Sequence, residues 1–495
     1  LLLEEAFRDR TILADIVSVF NFGPADLTLV SSYIDRAILV SRDASALTGS
    51  VSVDLGFPDA AVLLPSNLID ETDFSQFSQE VRLSSAEDGR FQWVVGGFFT
   101  VSDRDYTQVL PTPGFDAFTD LVLGAGTSAA VANGFGADSP FNSVLPFDNR
   151  QFAFFGEASY DITERLTFTA GGRYYNFDEE RLITTGGLFA NGDTLQFDET
   201  SSSGFTPRFL ISYDLNDNLT LNLQASRGFR LGGVNDPLNT PLCNPIDLQI
   251  FGGFQDFDDE TLWNFEGGVK SQFGPFTFNS AVFYTDISNL QVTLDAGSCS
   301  SRITFNVPQA RTIGGEFELA VTPFQGLDVS IAGTVQDAEF RSDVVDSTGA
   351  IIGGIADGNR LPTVPNLQIS FNAFYSWRIS EDAEAFFGGS FQHIGTRFTQ
   401  PSDQLPGAGV FVSNLPFGGA TGFVPTVIDL ELDSYQIVNV SAGIDFDTWS
   451  VSAFINNAND ENAQLSFDRE RGGRARLGFH TNQPRTFGIN VRKRF

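Results

Sequence analysis

The sequence predicts an all-β chain: a transmembrane, antiparallel, up-and-down β-barrel. Three observations predict it. Apolar and polar residues alternate with period 2, short and long connections follow one another without a break, and Phe and Gly are abundant although no apolar helix is present. The 495 residues include 51 Phe and 48 Gly, and no stretch approaches the ~18 consecutive apolar residues of a spanning helix. Hydrophobic residues make up 42 % and mean hydropathy is −0.03, values that would suit a soluble protein. In a membrane barrel only alternate residues meet lipid, so mean hydropathy stays low.

The alternation is legible in several segments. Leu219, Leu221, Leu223, Ala225 and Phe229 alternate with Thr220, Asn222, Gln224 and Ser226. Trp263, Phe265, Val269 and Phe273 alternate with Asn264, Glu266, Lys270 and Gln272. Leu367, Ile369, Phe371, Ala373, Tyr375 and Trp377 are separated mostly by polar residues. Near the end, Phe487, Ile489, Val491 and Phe495 alternate with Gly488, Asn490, Arg492 and Arg494, with Lys493 the exception. A strand of this kind has one apolar and one polar face. Glu266 or Lys270 would be costly against lipid, so the polar face looks into a hydrated interior.

About 17 strand candidates follow from these signals. Tight reversals with Gly, Pro, Asn, Asp or Ser chemistry are expected at Gly23–Asp26, Glu87–Gly89, Asp161–Glu164, Asn216–Asn218, Phe273–Pro275, Thr322–Gly326, Ser380–Asp382 and Asp445–Thr448. Between them lie longer loops, at 41–72, 105–148, 179–203, 231–259, 291–301, 342–364, 398–432 and 457–483. A barrel with short turns at one end and long loops at the other requires this asymmetry. A solenoid or propeller would show a repeat of fixed period, and none is visible.

Charge excludes some functions. Formal net charge is −33, from 62 Asp and Glu against 29 Lys and Arg, which argues against nucleic-acid binding. The acidity suits solvated loops and a hydrated lumen. The alternative, divalent-cation binding at Asp256, Asp258, Asp259 and Glu260, lacks the spaced ligands and Gly of a calcium loop. Glu179 and Glu180 read as solvated loop charge. No metal site is expected, since Cys243, Cys299, His393 and His480 show no metal-ligand spacing. No nucleophile elbow or phosphate loop is present, and no cofactor is implied. Cys243 and Cys299 fall in successive long loops at the same end of the meander. Neither sits on an apolar strand face, so a disulfide between them is expected.

Several segments resemble signatures of the TonB-dependent receptor barrel. They are Tyr213-Asp214-Leu215 through Ser226-Arg227-Gly228-Phe229-Arg230, Asp259 through Lys270 around Asn264-Phe265-Glu266-Gly267, and Ala310-Arg311-Thr312-Ile313-Gly314-Gly315-Glu316-Phe317-Glu318. Gly358-Asn359-Arg360-Leu361-Pro362, Phe454-Ile455-Asn456-Asn457-Ala458-Asn459-Asp460 and the ending Pro484 through Phe495 complete the series. Each is weak alone, but six in the family's order, at matching strand positions, are strong, and the resemblance covers essentially the whole chain. Ala458 stands where the family usually has Leu, and Gly315 where it has Val or Leu.

The resemblance implies a bacterial outer-membrane barrel of about 22 strands, preceded by a signal peptide, a TonB box and a plug. Residues 1–495 would then be an N-terminally truncated barrel domain, with the plug and the first few strands missing. It implies a non-enzymatic receptor that takes up a scarce ligand, most often a ferric siderophore, driven by TonB. Partners would be TonB, outer-membrane lipid and lipopolysaccharide, and the barrel-assembly machinery, for which Phe495 would be the terminal signal. Candidate ligand contacts are Arg104, Tyr106, Tyr174, Tyr175, Arg230, Arg397 and His480, because siderophores are commonly anionic or aromatic. Each of the seven also fits a girdle aromatic or a lipopolysaccharide contact. Haem, cobalamin, an oligosaccharide or an aromatic compound stays open as substrate. So do a passive porin and a hydrolase built around His393.

Overall fold

The computed structural model describes residues 3–86, 89–299, 301–411, 425–469 and 477–494. Phe495 lies outside the described residues. Seventeen long strands form one sheet in which every strand pairs antiparallel with its neighbours in sequence. They are β1 (Ala6–Asn21), β2 (Ala25–Asp43), β3 (Asn67–Ser85), β4 (Phe91–Val109), β5 (Asn142–Asp161) and β6 (Leu166–Gly186). β7 (Gln196–Asn216), β8 (Leu219–Arg230), β9 (Glu260–Phe273), β10 (Phe276–Asp295), β11 (Arg302–Phe324) and β12 (Leu327–Phe340) continue the meander. β13 (Leu367–Ser380), β14 (Ala383–Ile394), β15 (Tyr435–Phe446), β16 (Trp449–Asn456) and β17 (Thr486–Lys493) complete it. β1 and β17 are the edge strands, and no pairing joins them among the described residues.

Register sorts the side chains onto two faces, because partners directly opposite share a face. Phe487 pairs with Ile455, Ile489 with Ala453 and Val491 with Val451, whereas Asn490 pairs with Ser452 and Arg492 with Ser450. The same parity carries Leu223, Gly267, Val282, Gly315 and Val335 across five strands as one apolar row. Val282 is 66 % exposed and Val335 61 %. Apolar surface on this scale, continuous across the sheet, is untenable in water and suits lipid. Trp263 and Phe273 mark two aromatic levels of that face. Ten residues of strand span about 33 Å, and a tilt of ~40° reduces this to the ~25 Å height of an outer-membrane apolar band.

The other face is polar and internally bonded. Arg208 donates to Glu157 at 2.7 Å and to Gln224 at 3.1 Å. Ser212 bonds Asn222 at 2.8 Å, and Thr285 bonds Asn264 at 2.8 Å. Glu266 and Lys270 stand on this lumen face, as the alternation predicts.

Glycine allows close approach where a ring lies over the strand. A Cβ on Gly314 would sit 2.6 Å from the Phe283 ring and 2.6 Å from the Val335 carbonyl oxygen. The ring could turn away, but the carbonyl belongs to the β11–β12 pairing and cannot. Gly314→Leu is therefore expected to destabilise the sheet by about 3 kcal/mol. An unshifted urea-unfolding midpoint in detergent would show that this contact does not matter.

The strands run further into the long-loop end than the sequence suggests. The loops expected at 41–72, 105–148 and 179–203 shrink, because β2 reaches Asp43, β5 starts at Asn142 and β6 reaches Gly186. Glu179 and Glu180 accordingly lie within β6 rather than in a loop. Beyond the apolar band the outward face meets water rather than lipid and need not be apolar, while the inward face, with Leu145, Phe147, Arg181 and Ile183, is buried. Short helices such as Ser45–Asp54 and Phe115–Leu123 occupy the long connections. These two helices pack on an apolar cluster that includes Val51, Phe57, Phe115 and Phe189, and the connection after β8 packs on a second that includes Phe251, Leu294, Cys299, Phe305 and Phe340.

Candidate functional site

A cavity of about 710 Å³ opens at the long-loop end. Its wall combines strand rims with loops: Arg42 of β2, Tyr106 and Gln108 of β4, Asp236 of the connection after β8, and Arg302 of β11. Asp468 and His480 reach it from a short hairpin, Gln464–Arg469 with Leu477–Thr481, that rises between β16 and β17.

Asp70 organises the strand side. Its carboxylate accepts from Arg42 at 2.6 Å on one oxygen, and from the Tyr106 hydroxyl at 3.1 Å and the Gln108 amide at 2.5 Å on the other. Register places these residues on the lumen face of adjacent strands. The loop side hangs from Arg181. Its side chain has 0 % exposure; it donates to the Asp236 carboxylate at 3.1 Å, to the carbonyl of Val234 at 3.5 Å and to the carbonyl of Asn235. Asp198 lies 3.5 Å away. Phe147 is sandwiched between two guanidiniums, Arg104 at 5.0 Å and Arg181 at 5.3 Å from its centroid, and Arg104 also covers Tyr106 at 5.1 Å.

Of the seven sequence candidates, the structure brings Tyr106 and His480 to the cavity wall, with Arg104 stacked behind Tyr106. The others go elsewhere. Tyr174 stands on the apolar face beside Phe152, at 6.5 Å between ring centroids. Tyr175, on the opposite face, stacks on Phe229 at 3.7 Å and donates to Asp259 at 2.7 Å. Arg230 is held by Glu260 at 2.7 Å and by the Gln291 carbonyl at 2.7 Å. Arg397 is buried over the Tyr435 ring and donates to the carbonyls of Gln464 and Leu465 at 2.8 and 3.2 Å. Burial lowers its pKa from the ordinary guanidinium value, and Tyr435 offsets this only in part.

Within the acidic run, Asp259 and Glu260 are thus committed to Tyr175 and Arg230, and Asp259 also accepts from the Gly232 amide at 2.7 Å. No group of three or more metal-ligating side chains occurs among the described residues. His393 lies in β14 between Ile369 and Gln436. Arg42, Asp70, Arg181 and Asp236 were missed by sequence reasoning. Parity continued along β6 from Thr167 would have placed Arg181 on the lumen face.

A family model described as TonB dependent receptor-like, beta-barrel matches residues 21–458. The ferric yersiniabactin uptake receptor FyuA from Yersinia pestis superposes with TM-score 0.72 at 15 % identity, covering 99 % of this chain and 62 % of that one. The siderophore receptor PiuA from Acinetobacter baumannii gives 0.64 at 14 %, covering 98 % and 64 %. The ferric citrate transporter FecA gives 0.62 at 14 %, covering 98 % and 62 %. At this identity the likeness shows the fold. The chain spans less than two thirds of the length of these structures.

Proposed function

Because the chain belongs to the TonB-dependent receptor β-barrel family and is a bacterial outer-membrane β-barrel protein, we propose that it forms the wall and outer vestibule of a receptor for TonB-energised uptake of a scarce ligand, most simply a ferric siderophore. The observation that carries this reading is the cavity at the long-loop end, floored by the Asp70 network and roofed by loops that Arg181 holds. A rigid strand rim with polar groups aimed into a concave space is what a binding site needs.

The open edges at β1 and β17 support the further reading that these strands belong to a larger barrel of about 22 strands, since unpaired backbone in lipid is costly. A plug, when present, would fill the polar lumen and carry the contact with TonB. Phe495 would serve barrel assembly, and lipopolysaccharide would meet the outer aromatic level.

Uptake of iron-55 presented as a panel of ferric chelates tests the proposal in iron-limited cells that express the complete receptor. Deleting TonB is expected to reduce uptake to the level of cells lacking the receptor. Uptake that persists without TonB would replace the receptor reading with a passive porin.

A further inference from the structure

The lumen face is not uniform. From β3 to β11 it carries charge at mid-depth, including Glu80, Arg173, Glu157, Arg208, Glu266 and Glu316. The next six strands, β12 to β17, are nearly uncharged there, with Asp328 the one inward charge at that depth among the described residues. One row across them reads Ser330, Asn372, Ser390 and Asn439 by direct pairing. The next row toward the turns runs from Asp328 through Phe374, Gly388, Ser441 and Phe454 to Gly488, so Asp328 is its one charge. The other inward charges on these strands, Arg378, Glu384, Asp445 and Arg492, share one row near the short-turn end. Asn372 donates to Ser330 at 3.4 Å and Asn439 to Ser390 at 3.1 Å, and a cavity of about 410 Å³ runs along this row.

This wall meets the vestibule through one connection, while the strand residues that line the vestibule come from β2 to β6, β10 and β11. The hairpin that brings Asp468 and His480 to the outer cavity is the connection between β16 and β17. A passage has to bind its cargo weakly enough to release it at each step. Charged walls hold opposite charges firmly and repel like ones, whereas amides and hydroxyls exchange their bonds with water at little net change. Resting on the receptor reading above, we propose that the ligand crosses the lumen along the β12–β17 wall, and that the charged wall from β3 to β11 stays closed during transport.

The native cysteines are bonded to each other and none is free among the described residues, so an introduced thiol is read against the labelling of the unsubstituted receptor. Ser390→Cys and Asn372→Cys mark the nearly uncharged wall; Asn279→Cys and Asn222→Cys mark the charged one. Each variant of the complete receptor is labelled in intact cells with a neutral, membrane-impermeant maleimide, with and without TonB. The ratio of the two rates cancels local differences in thiol reactivity. A rise of about fivefold with TonB is expected at Ser390→Cys and Asn372→Cys, with little change at the other two positions. An equal rise on both walls, a rise confined to the charged wall, or no rise anywhere would overturn the path. Uptake of a ferric chelate is measured in the same cells. If it depends on TonB while labelling does not, the path alone fails; if it is independent of TonB, the receptor reading fails too.

Discussion

Arg181→Ala is expected to release the loop wall of the vestibule while leaving the sheet standing. The guanidinium reaches the carbonyls of Val234 and Asn235 and the Asp236 carboxylate together, and its carbon lies over the Phe147 ring, 5.3 Å from the centroid. Asp236 is more than half exposed, so that ion pair is screened and contributes little by itself. More is lost at the carbonyls left without a donor and in the cavity left beside Phe147. Together these amount to about 3 kcal/mol. Much of the effect is local, because the loop is tied to the wall here. A loop that must be reordered on binding would weaken ligand affinity by up to about a hundredfold. Hydrogen exchange at Val234–Asp236 and proteolysis within 231–259 should both accelerate. Arg181→Lys should restore only part of the protection, since an ammonium offers neither the fork nor the stacking plane. Unchanged exchange in Arg181→Ala would remove Arg181 from its role as the loop's anchor.

What the sequence made legible divides at the edge of the membrane. Where lipid touches one face, each strand is constrained residue by residue, so Trp263–Phe273 and Phe487–Val491 could be read with the correct faces. The short turns were legible for a related reason, since tight reversal restricts residue type. Above the apolar band neither constraint acts. Asn142–Asp148 and Glu179–Gly186 therefore looked like loop, although they are strand. The site suffers most from this, because it is built from those outer ends. Tyr106 and His480 were found as polar aromatic residues near strand ends. Arg181 was not, because its partners at Val234–Asp236 lie more than fifty residues further on, and no local pattern announces a contact of that range. Tyr174 was proposed beside Tyr175, although successive residues of a strand face opposite ways.

The disulfide has a comparable expected effect at the other end of the same loop. Cys243 and Cys299 are bonded across 56 residues, and the chain-entropy model gives about 4 kcal/mol for a loop of that length. The bond does not act alone. The Asn244 amide donates to the Ser298 hydroxyl at 2.8 Å, and Asp247 accepts from the Ser298 amide at 2.8 Å and from its hydroxyl at 2.6 Å. Cys299 is fully buried in the apolar cluster of the long loops, with Cys243 packed against it. Most of the sheet hydrogen bonds lie outside this region, so Cys243→Ser with Cys299→Ser should leave barrel assembly intact. The variant should instead free the connection after β8 and the 296–301 loop from each other. Because Asp236 and Asn239 of that connection line the vestibule, ligand affinity should fall together with protection of the loop. Thiol labelling of the denatured protein decides the premise: no label without reduction, and two labels per chain after it. Two reactive thiols before reduction would mean that the loops are not joined, and the clasp around Ser298 would then have to hold them unaided.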